Sequence, residues 1–390
     1  MSKLLNQQER SELKRLRARR TKLDETGAKV LEAAVCLAAR LPEIDDHFAP
    51  EVLEAADEKF RGRIGLQQLL LEAARANGWK GRSIQGDLKT ALQAGFSTSS
   101  LSGILSGAAQ KFLLRAFHGV ESVWRDIARV RPVSDFKQHA SYRLTGGFEY
   151  EKVGPDGQLK HGTAGEESHP IKADTFANLF VLDRQSIIND DLGALKDLPS
   201  NLGRGAGLAV NREFWATFLD DASFFSAANS NLIEGASSAL SITSMAPALQ
   251  AFRDQVDEDG APVSLPPAIL LVPTALEVAA LEIANSREVR NTTANTKEGT
   301  HNPFHGLVRS VVSAYLASSS IAGSSNSAWY LLANPAEEAT IELAFLNGEE
   351  EPAIETAEAD FETLGIQFRG YSDFGVALHE HRAGVKSTGA

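Results

Sequence analysis

Apolar and small residues recur at helical spacing through the first quarter of the chain. Between residues 8 and 41 they fall three or four positions apart, in an imperfect heptad stripe. This stripe predicts a weak coiled coil or a small helical bundle, and Pro42 ends it because proline cannot continue a helix. Two more helices are predicted near 51–60 and over 64–76, so the N-terminal region is expected to be helical.

The pattern changes after this region. Residues 95–106 (GFSTSSLSGILS) are small and polar, which is typical of a linker or an extended arm. An amphipathic helix is predicted to follow from Ala108 to Phe117, because apolar residues return there at helical spacing.

Residues 138–182 alternate between polar and apolar positions on both sides of a strong tight-turn signal, GPDG at 154–157. This pattern predicts a long two-stranded hairpin that is rich in glycine. A lone hairpin is only marginally stable in water. We therefore expect it to pack on something else, such as a neighbouring subunit.

A longer amphipathic helix is predicted over 201–222, and its apolar positions include Phe214, Trp215 and Phe218. The rest of the chain mixes helices and buried strands. The predicted elements are a helix over 244–257, a strand ended by Pro273, a helix with Thr274 as its N-cap, strands at 305–317, 327–334 and 341–348, and three more strands up to His381. Helices, then a hairpin, then a mixed region indicate the α+β class.

Composition narrows the class of protein. The 390 residues carry a formal net charge of -12, although residues 1–22 hold eight basic and only two acidic side chains. An acidic body argues against a dedicated nucleic-acid binder, because phosphate contacts need lysine and arginine. Cys36 is the only cysteine, so no intrachain disulfide can form, and it is interpreted as a small packing residue in a helix. No signal peptide or membrane span is predicted.

No constellation of side chains in the sequence predicts catalysis. The glycine-rich run at 203–207 lacks the spacing and the lysine of a phosphate loop, so it is interpreted as small residues in a closely packed helix. Pro303 separates His301 from His305, which favours loop histidines over metal ligands. The other candidates are interpreted as surface, rim or helix-end groups: Asp190, Asp191, Asp220, Asp221, His379 and His381. We predict no catalytic, cofactor-binding or metal site.

Several segments, taken in order, resemble the major capsid proteins of tailed bacteriophages. QSIINDDLG (185–193) resembles the segment before their long spine helix, especially in the branch related to the Mu-like major head subunit, where a prohead protease is often fused ahead of the coat protein. The other matching segments are 97–117, 135–137 with the hairpin behind it, 266–281, 329–335, 343–355 and 368–384.

The resemblance implies the Hong Kong ninety-seven-type capsid fold with an extra helical N-terminal region. Its implied parts are the N-terminal region at 1–94, an N-terminal arm at 95–137, an extended hairpin loop at 138–184, a peripheral domain with the spine helix at 185–245 and 335–370, and an axial domain at 246–334 and 371–390. Residues 1–94 are expected to be either a scaffold that is removed or a domain that is retained.

The same resemblance implies function and contacts. The expected inter-subunit contacts of hairpin and arm are Phe148, Tyr150, Lys152, Lys160, Phe112, Leu113 and Phe117, and the expected spine-helix residues are Phe214, Trp215 and Phe218. The chain is expected to be a structural protein, not an enzyme. It would assemble in the bacterial cytoplasm into the hexamers and pentamers of a virion shell that encloses DNA without reading its sequence. Portal, prohead protease, scaffold and decoration proteins are further implied partners, with no cofactor and no membrane.

Three other classes stay open. An encapsulin-like nanocompartment shell shares the implied fold and would store cargo enzymes instead of DNA. An enzyme would need a catalytic set, which the sequence does not offer. A helical scaffold or adaptor would have to explain the strands predicted at 138–182 and 327–381.

Overall fold

The computed structural model describes ten stretches of the chain. They are 27–76, 79–80, 90, 99–145, 165–189, 192–220, 222–257, 260–289, 300–358 and 365–389. The chain divides into two compact units. The first comprises Met1–Val120, Phe176–Gly207 and Glu351–Ser372, and the second comprises Glu121–Thr175, Leu208–Glu350 and Asp373–Ala390.

The helices of the described residues fall mostly in the first half of the chain. They are α1 (27–38), α2 (Pro50–Phe60), α3 (Leu66–Ala76), α4 (Ser99–His118), α5 (Trp124–Ile127), α6 (Arg184–Ile188), α7 (Leu192–Asp220), α8 (Ile242–Arg253) and α9 (Glu277–Asn285). Among these residues, none of the helices is both long enough and apolar enough to cross a membrane.

The strands fall mostly in the second half. They are β1 (Arg129–Val133), β2 (His139–Thr145), β3 (Gly165–Ile171), β4 (Asp174–Asp183), β5 (Leu232–Ile233), β6 (Pro267–Pro273), β7 (Glu288–Val289), β8 (Thr300–His301), β9 (Arg309–Ser313), β10 (Trp329–Ala333), β11 (Ile341–Leu346), β12 (Ala353–Glu358), β13 (Gly365–Leu378) and β14 (Gly384–Ser387).

The core of the first unit surrounds α4. Its apolar residues form one buried cluster with residues of α1, α2, α3, α6, α7 and the strands β12 and β13. The polar positions of α4 face β12, where the Ser102 hydroxyl donates to the carbonyl oxygen of Thr356 at 2.7 Å. Gln110 both donates to the Pro352 carbonyl at 2.8 Å and accepts from the Ile354 amide at 3.0 Å. These side chains satisfy backbone groups of β12, which is the last strand in its sheet order.

The core of the second unit is a five-stranded sheet with the order β5-β14-β10-β6-β9. The central strands β10 and β6 are antiparallel, and β6 and β9 are parallel. All five residues of β10 are buried, as expected for a continuous apolar run between helices. Residues of α8 and α9 belong to the same buried cluster as the strand side chains.

A second sheet is organised by the long strand β13. In the first unit, residues 366–371 of β13 pair with β12. In the second unit, residues 374–378 pair antiparallel with β11, which pairs in parallel with β1. β4 also pairs with β13. Two short two-stranded sheets, β2-β3 and β7-β8, complete the described strands.

The α+β class is confirmed, and most elements lie where the periodicity predicts them. The predicted linker at 95–106 is a correction, because α4 already begins at Ser99. Its small polar residues are not solvated: Ser102 and Ser106 contact Thr356 on β12, while Leu101 and Leu105 are fully buried. When the polar face of a helix packs against another part of the protein, the helix is as rich in small polar residues as a loop. Composition alone therefore does not distinguish the two.

Three further boundaries differ from the prediction. The helix predicted from residue 201 begins at Leu192 and continues through Pro199, since one missing N–H does not end a well-packed helix. Thr274 begins a short 3₁₀ turn, so it does not cap α9, whose N-cap is Leu276. The return strand of the hairpin ends at Ile171, and the chain to Asp183 forms the separate strand β4.

Substitution of two glycines in α7 tests the packing of the first unit. A Cβ at Gly203 would lie 2.0 Å from the carbonyl oxygen of Leu113, whereas a Cβ at Gly205 meets nothing within 4 Å. Gly203→Ala should therefore destabilise the chain by about 1–3 kcal/mol through overpacking. Gly205→Ala should stabilise it by about 0.5–1 kcal/mol, because alanine is the better helix former. Urea unfolding of unassembled subunits measures both; equal effects would contradict the close approach.

Candidate functional site

The base of the hairpin is the best-defined polar site of the described chain. β2 and β3 pair in antiparallel register from His139 opposite Ile171 to Thr145 opposite Gly165. Because successive side chains of a strand point to opposite faces, Glu167 and His169 lie on the same face of β3. That face carries the acidic and imidazole groups that contact the rest of the second unit.

Arg382 connects this face to the end of β13. Its Nη1 atom lies 3.1 Å from Oε2 of Glu167 and 3.0 Å from Oε1 of Glu380. Its Nε donates to the carbonyl oxygen of Val256 at 3.0 Å. Glu380 is 1% exposed and Arg382 6% exposed. Such buried charges persist only when they are paired, so the three groups form one unit.

A second group of charges lies under β2. Glu342 on β11 is 3% exposed. Its carboxylate oxygens lie 3.4 Å from Nη1 of Arg129 and 3.7 Å from Nη1 of Arg131. Arg131 also donates to the hydroxyl of Ser141 on β2 at 2.5 Å. Arg131 therefore joins β1, β2 and β11 at one point.

Two histidines join these groups. The rings of His169 and His379 lie edge to face with centroids 4.5 Å apart. Burial, followed by the charge of His379, lowers the pKa of His169, although nearby glutamates partly oppose this shift. Nε2 of His379 lies 3.5 Å from Glu338 and 3.6 Å from Glu342, while its buried Nδ1 has no hydrogen-bond partner within the described chain. We call this set of side chains the hairpin-base network. Its members are Arg129, Arg131, Ser141, Glu167, His169, Glu338, Glu342, His379, Glu380 and Arg382.

The network contains a set of atoms that a metal ion could use. One ligand atom from each of Glu167, His169 and Glu380 lies within 4.8 Å of the others. The guanidinium of Arg382, however, already binds both carboxylates. A divalent ion would have to displace or tolerate this cation, so the residues fit a salt-bridge network better than a metal centre.

The other polar candidates are distributed as follows. His305 lies in a turn, as predicted, whereas His301 is the last residue of β8 and not a loop residue. The run at 203–207 is a closely packed helix as predicted, because Cβ atoms at Gly203 and Gly207 would contact Leu113 and Val120. Asp190, Asp191 and Asp221 lie outside the described residues, and Asp220 ends α7.

The prediction of a surface or rim role is wrong for His379, whereas the His381 side chain is partly exposed. The His379 side chain is only 9% exposed and belongs to the hairpin-base network. His381 begins a 3₁₀ turn after β13, and burial lowers its pKa. Both follow β13, but nothing in the local pattern shows that the ring of His169 on β3 lies against His379.

The residues expected at inter-subunit contacts lie in two different parts of the chain. Phe112, Leu113 and Phe117 are at most 6% exposed and lie within the first unit. Their own chain buries them, and the inter-subunit role that the resemblance implies stays a prediction. Phe148, Tyr150, Lys152 and Lys160 fall at 146–164, outside the described residues.

Phe214, Trp215 and Phe218 lie on α7 and are at most 1% exposed. Phe218 contacts the rings of Phe225 and Tyr330, with centroids 5.7 and 5.1 Å apart. These side chains pack within the second unit, so their direct role is in the core of their own chain.

Some large apolar side chains stay exposed. In the first unit, Leu179 and Phe180 on β4 are 51% and 36% exposed. Because neighbouring strand residues point in opposite directions, both faces of β4 present apolar surface there. In the second unit, Val278 and Leu281 on α9 are 70% and 44% exposed. Large exposed apolar groups of this kind are typical of surfaces that contact other proteins.

Comparison with protein families gives one match. The family model described as phage capsid protein matches residues 166–387, which is more than half of the chain. The match begins next to Glu167 and includes Arg382, so it contains most of the hairpin-base network. None of the curated proteins matches the sequence.

Several solved structures are similar at low identity. The capsid of the cyanophage P-SCSP1u is 12% identical, with 68% of this chain and 87% of that chain covered and a TM-score of 0.45. Mycobacterium phage Ogopogo is 13% identical, with 68% and 91% covered and a TM-score of 0.42. The virus-like particle from Pyrococcus furiosus is 11% identical, with 72% and 97% covered and a TM-score of 0.42.

Removal of the Arg382 guanidinium tests the network. Arg382→Met should destabilise the chain by about 3–5 kcal/mol, because two carboxylates then lose their buried counter-charge. The matched control is Arg369→Met, since Arg369 pairs with Glu355 but both side chains are more than half exposed. The control should cost less than about 1 kcal/mol. Chemical unfolding measures both variants.

The double variant Arg382→Met with Glu380→Gln sharpens this test. It removes the buried negative charge together with its partner, so part of the lost stability should return. If Arg382→Met is no more destabilising than Arg369→Met, the network does not hold the hairpin base.

Proposed function

Since the chain belongs to the phage capsid protein family and is a structural protein of the virion shell, we propose that its copies assemble into the hexamers and pentamers of that shell. The shell would enclose the double-stranded DNA of the phage. We propose that the chain does this without catalytic activity of its own. The family match favours this function over an encapsulin-like nanocompartment. Membership of the Mu-like branch stays a prediction.

The observation that carries the proposal is the way the hairpin is held. Its two strands are paired over seven residues each, and their base is anchored by the hairpin-base network. Nineteen residues, 146–164, connect the strands, and they include Phe148 and Tyr150. A firmly anchored base supports the proposal that residues 146–164 contact a neighbouring subunit and not their own chain.

The anchor also suggests why charges are used here. Buried ion pairs contribute little net stability compared with apolar packing, but they accept only one geometry. Glu167 on β3 and Ser141 on β2 are both held by arginines of the body. This arrangement supports a fixed direction of the hairpin in each subunit.

A closed shell requires one interface that repeats around an axis. Head-to-tail contacts close into rings when the rotation between subunits is right. We propose that the hairpin tip of one subunit forms this contact on the next, with Phe148, Tyr150, Lys152 and Lys160 as contact residues. The exposed residues Leu179 and Phe180 on β4 offer apolar surface for such a neighbour.

The charge of the chain suits a container for DNA. Its formal net charge is -12, and the excess of acidic residues lies outside residues 1–22. Like charges repel, so an acidic body would not hold the duplex through its phosphates. We propose that the shell confines DNA without binding a particular sequence.

The division of labour within the subunit is also a proposal. Residues 185–245 and 335–370 would form the peripheral domain, and 246–334 and 371–390 the axial domain. The arm at 95–137 would add contacts with neighbouring subunits. Portal, prohead protease, scaffold and decoration proteins are proposed partners.

Shortening the hairpin tests the proposal. Replacement of residues 147–163 by Asn-Gly keeps β2 and β3 and supplies the turn that short hairpins favour. The full chain should form closed shells, visible by electron microscopy and mass photometry. The shortened chain should give folded subunits or isolated capsomers with unchanged circular dichroism.

The control replaces the polar segment 290–299 by a glycine-serine linker of equal length, which should leave shells intact. Closed shells at normal yield from the shortened chain would contradict the role of the hairpin. Failure of the full chain to form any particle, with or without a co-expressed scaffold, would contradict the shell function.

A further inference from the structure

We infer that residues 27–76 stay in the subunit after the shell is complete, as a permanent cover of α4. The resemblance leaves open whether this N-terminal region is a removable scaffold or a retained domain. The packing of the first unit distinguishes the two. This inference concerns the processing of the chain, so it goes beyond the proposed shell function.

The first step is the share of the core that this region supplies. The buried cluster of the first unit has 26 described members, and 12 of them belong to residues 27–76. These twelve are Ala33, Ala34, Val35, Cys36, Leu41, Ala56, Phe60, Ile64, Leu66, Leu69, Leu70 and Ala73. Removal of a detachable scaffold would be expected to leave the core of the remaining subunit intact. Removal of residues 27–76 would instead take away nearly half of the buried cluster.

The second step is the face of α4 that would be uncovered. Leu101, Leu105, Ala108 and Phe112 follow one another at helical spacing and are at most 3% exposed. Other sides of α4 are already occupied by β12, through Ser102, and by α7, at Gly203. Residues 27–76 therefore cover the part of α4 that the other elements leave open.

The third step is the polar contacts across this interface. The ammonium group of Lys111 on α4 pairs with the carboxylate of Glu32 on α1, and both side chains are less than one fifth exposed. The same ammonium lies 4.9 Å from the ring centroid of Phe48. Without α1, Lys111 would lose its counter-charge in a partly buried place, which is costly.

The fourth step is the connection to the long helix. Nε2 of Gln67 on α3 donates to the carbonyl oxygen of Ile188 at 2.6 Å. Ile188 is the last residue of α6 and lies four positions before Leu192, where α7 begins. The N-terminal region thus supports the start of α7 as well as α4.

The burial of Cys36 is a further indication that water is excluded from the contact between residues 27–76 and the rest of the first unit. It is 0% exposed, and burial raises the pKa of its thiol to about 12. A thiol in this position stays protonated and packs as a small apolar group. This is typical of a permanent core and unlike a surface that opens during maturation.

Cutting the chain after assembly tests the inference. A recognition sequence for a specific protease is inserted after Lys80, which is exposed, and assembled particles are cut and washed at high salt. The N-terminal fragment should remain with the particles at one copy per subunit, as measured by denaturing electrophoresis. The unmodified chain treated with the same protease is the control. Release of the fragment from intact particles would overturn the inference.

A pair of neighbouring substitutions shows whether the buried face is responsible. Leu69 is fully buried and Gln68 is exposed on the same helix. In cut particles, Leu69→Ala should release the fragment about 30-fold faster or more, as a buried leucine truncation implies. Gln68→Ala should behave like the parent. Equal release from both variants would overturn the inference.

The test does not depend on shell formation. If no particles form, the same cut is made on unassembled subunits, and co-elution of the fragment in size-exclusion chromatography is the readout. Loss of the fragment there contradicts the retained cover, whereas absence of particles contradicts only the shell function.

Discussion

The close approach of α7 to α4 is the constraint on which the first unit depends. A side chain at Gly203 would meet the carbonyl oxygen of Leu113, so the two helices touch through their backbones. Once α7 lies there, α4 is held on one side, β12 holds it on a second, and residues 27–76 cover the rest. The hydrophobic effect supplies the gain from each of these contacts, but the glycine determines that they can be made together.

In the second unit, charged side chains hold the hairpin strands β2 and β3 in place. A two-stranded hairpin cannot bury enough surface to hold itself. β2 and β3 are instead connected to the body through Arg131, Arg382 and the buried carboxylates of Glu342 and Glu380. The result is a hairpin base that is held in place by buried ion pairs and hydrogen bonds.

Periodicity predicted the elements whose environment is simple. α2 and α3 follow the helical repeat of their apolar residues, and β6 and β10 follow continuous apolar runs. The first turns of α4 were missed, because Ser102 and Ser106 look like linker residues until β12 is known to lie against them. The information lies in a contact more than two hundred residues away in sequence.

The candidate site was harder to predict for the same reason. Glu167, Glu342 and Arg382 are far apart in the chain, and each alone looks like a solvated surface residue. Only the pairing of β1 with β11 and the folding of β3 over residues 379–382 bring them together. Conversely, Phe112 and Phe117 are buried by their own chain, which the resemblance that implied their inter-subunit role does not indicate.

Hydrogen exchange compared between unassembled subunits and closed particles tests the central claim most directly. If the hairpin tip is the part completed by a neighbour, amides of residues 146–164 should gain strong protection on assembly, whereas the paired amides of β2 and β3 should be protected in both states. Amides of α1, α3 and α4 should be equally protected in both states, because their cover is intrachain. Unchanged exchange at residues 146–164, or loss of protection across α1 to α4 in the particles, would contradict it.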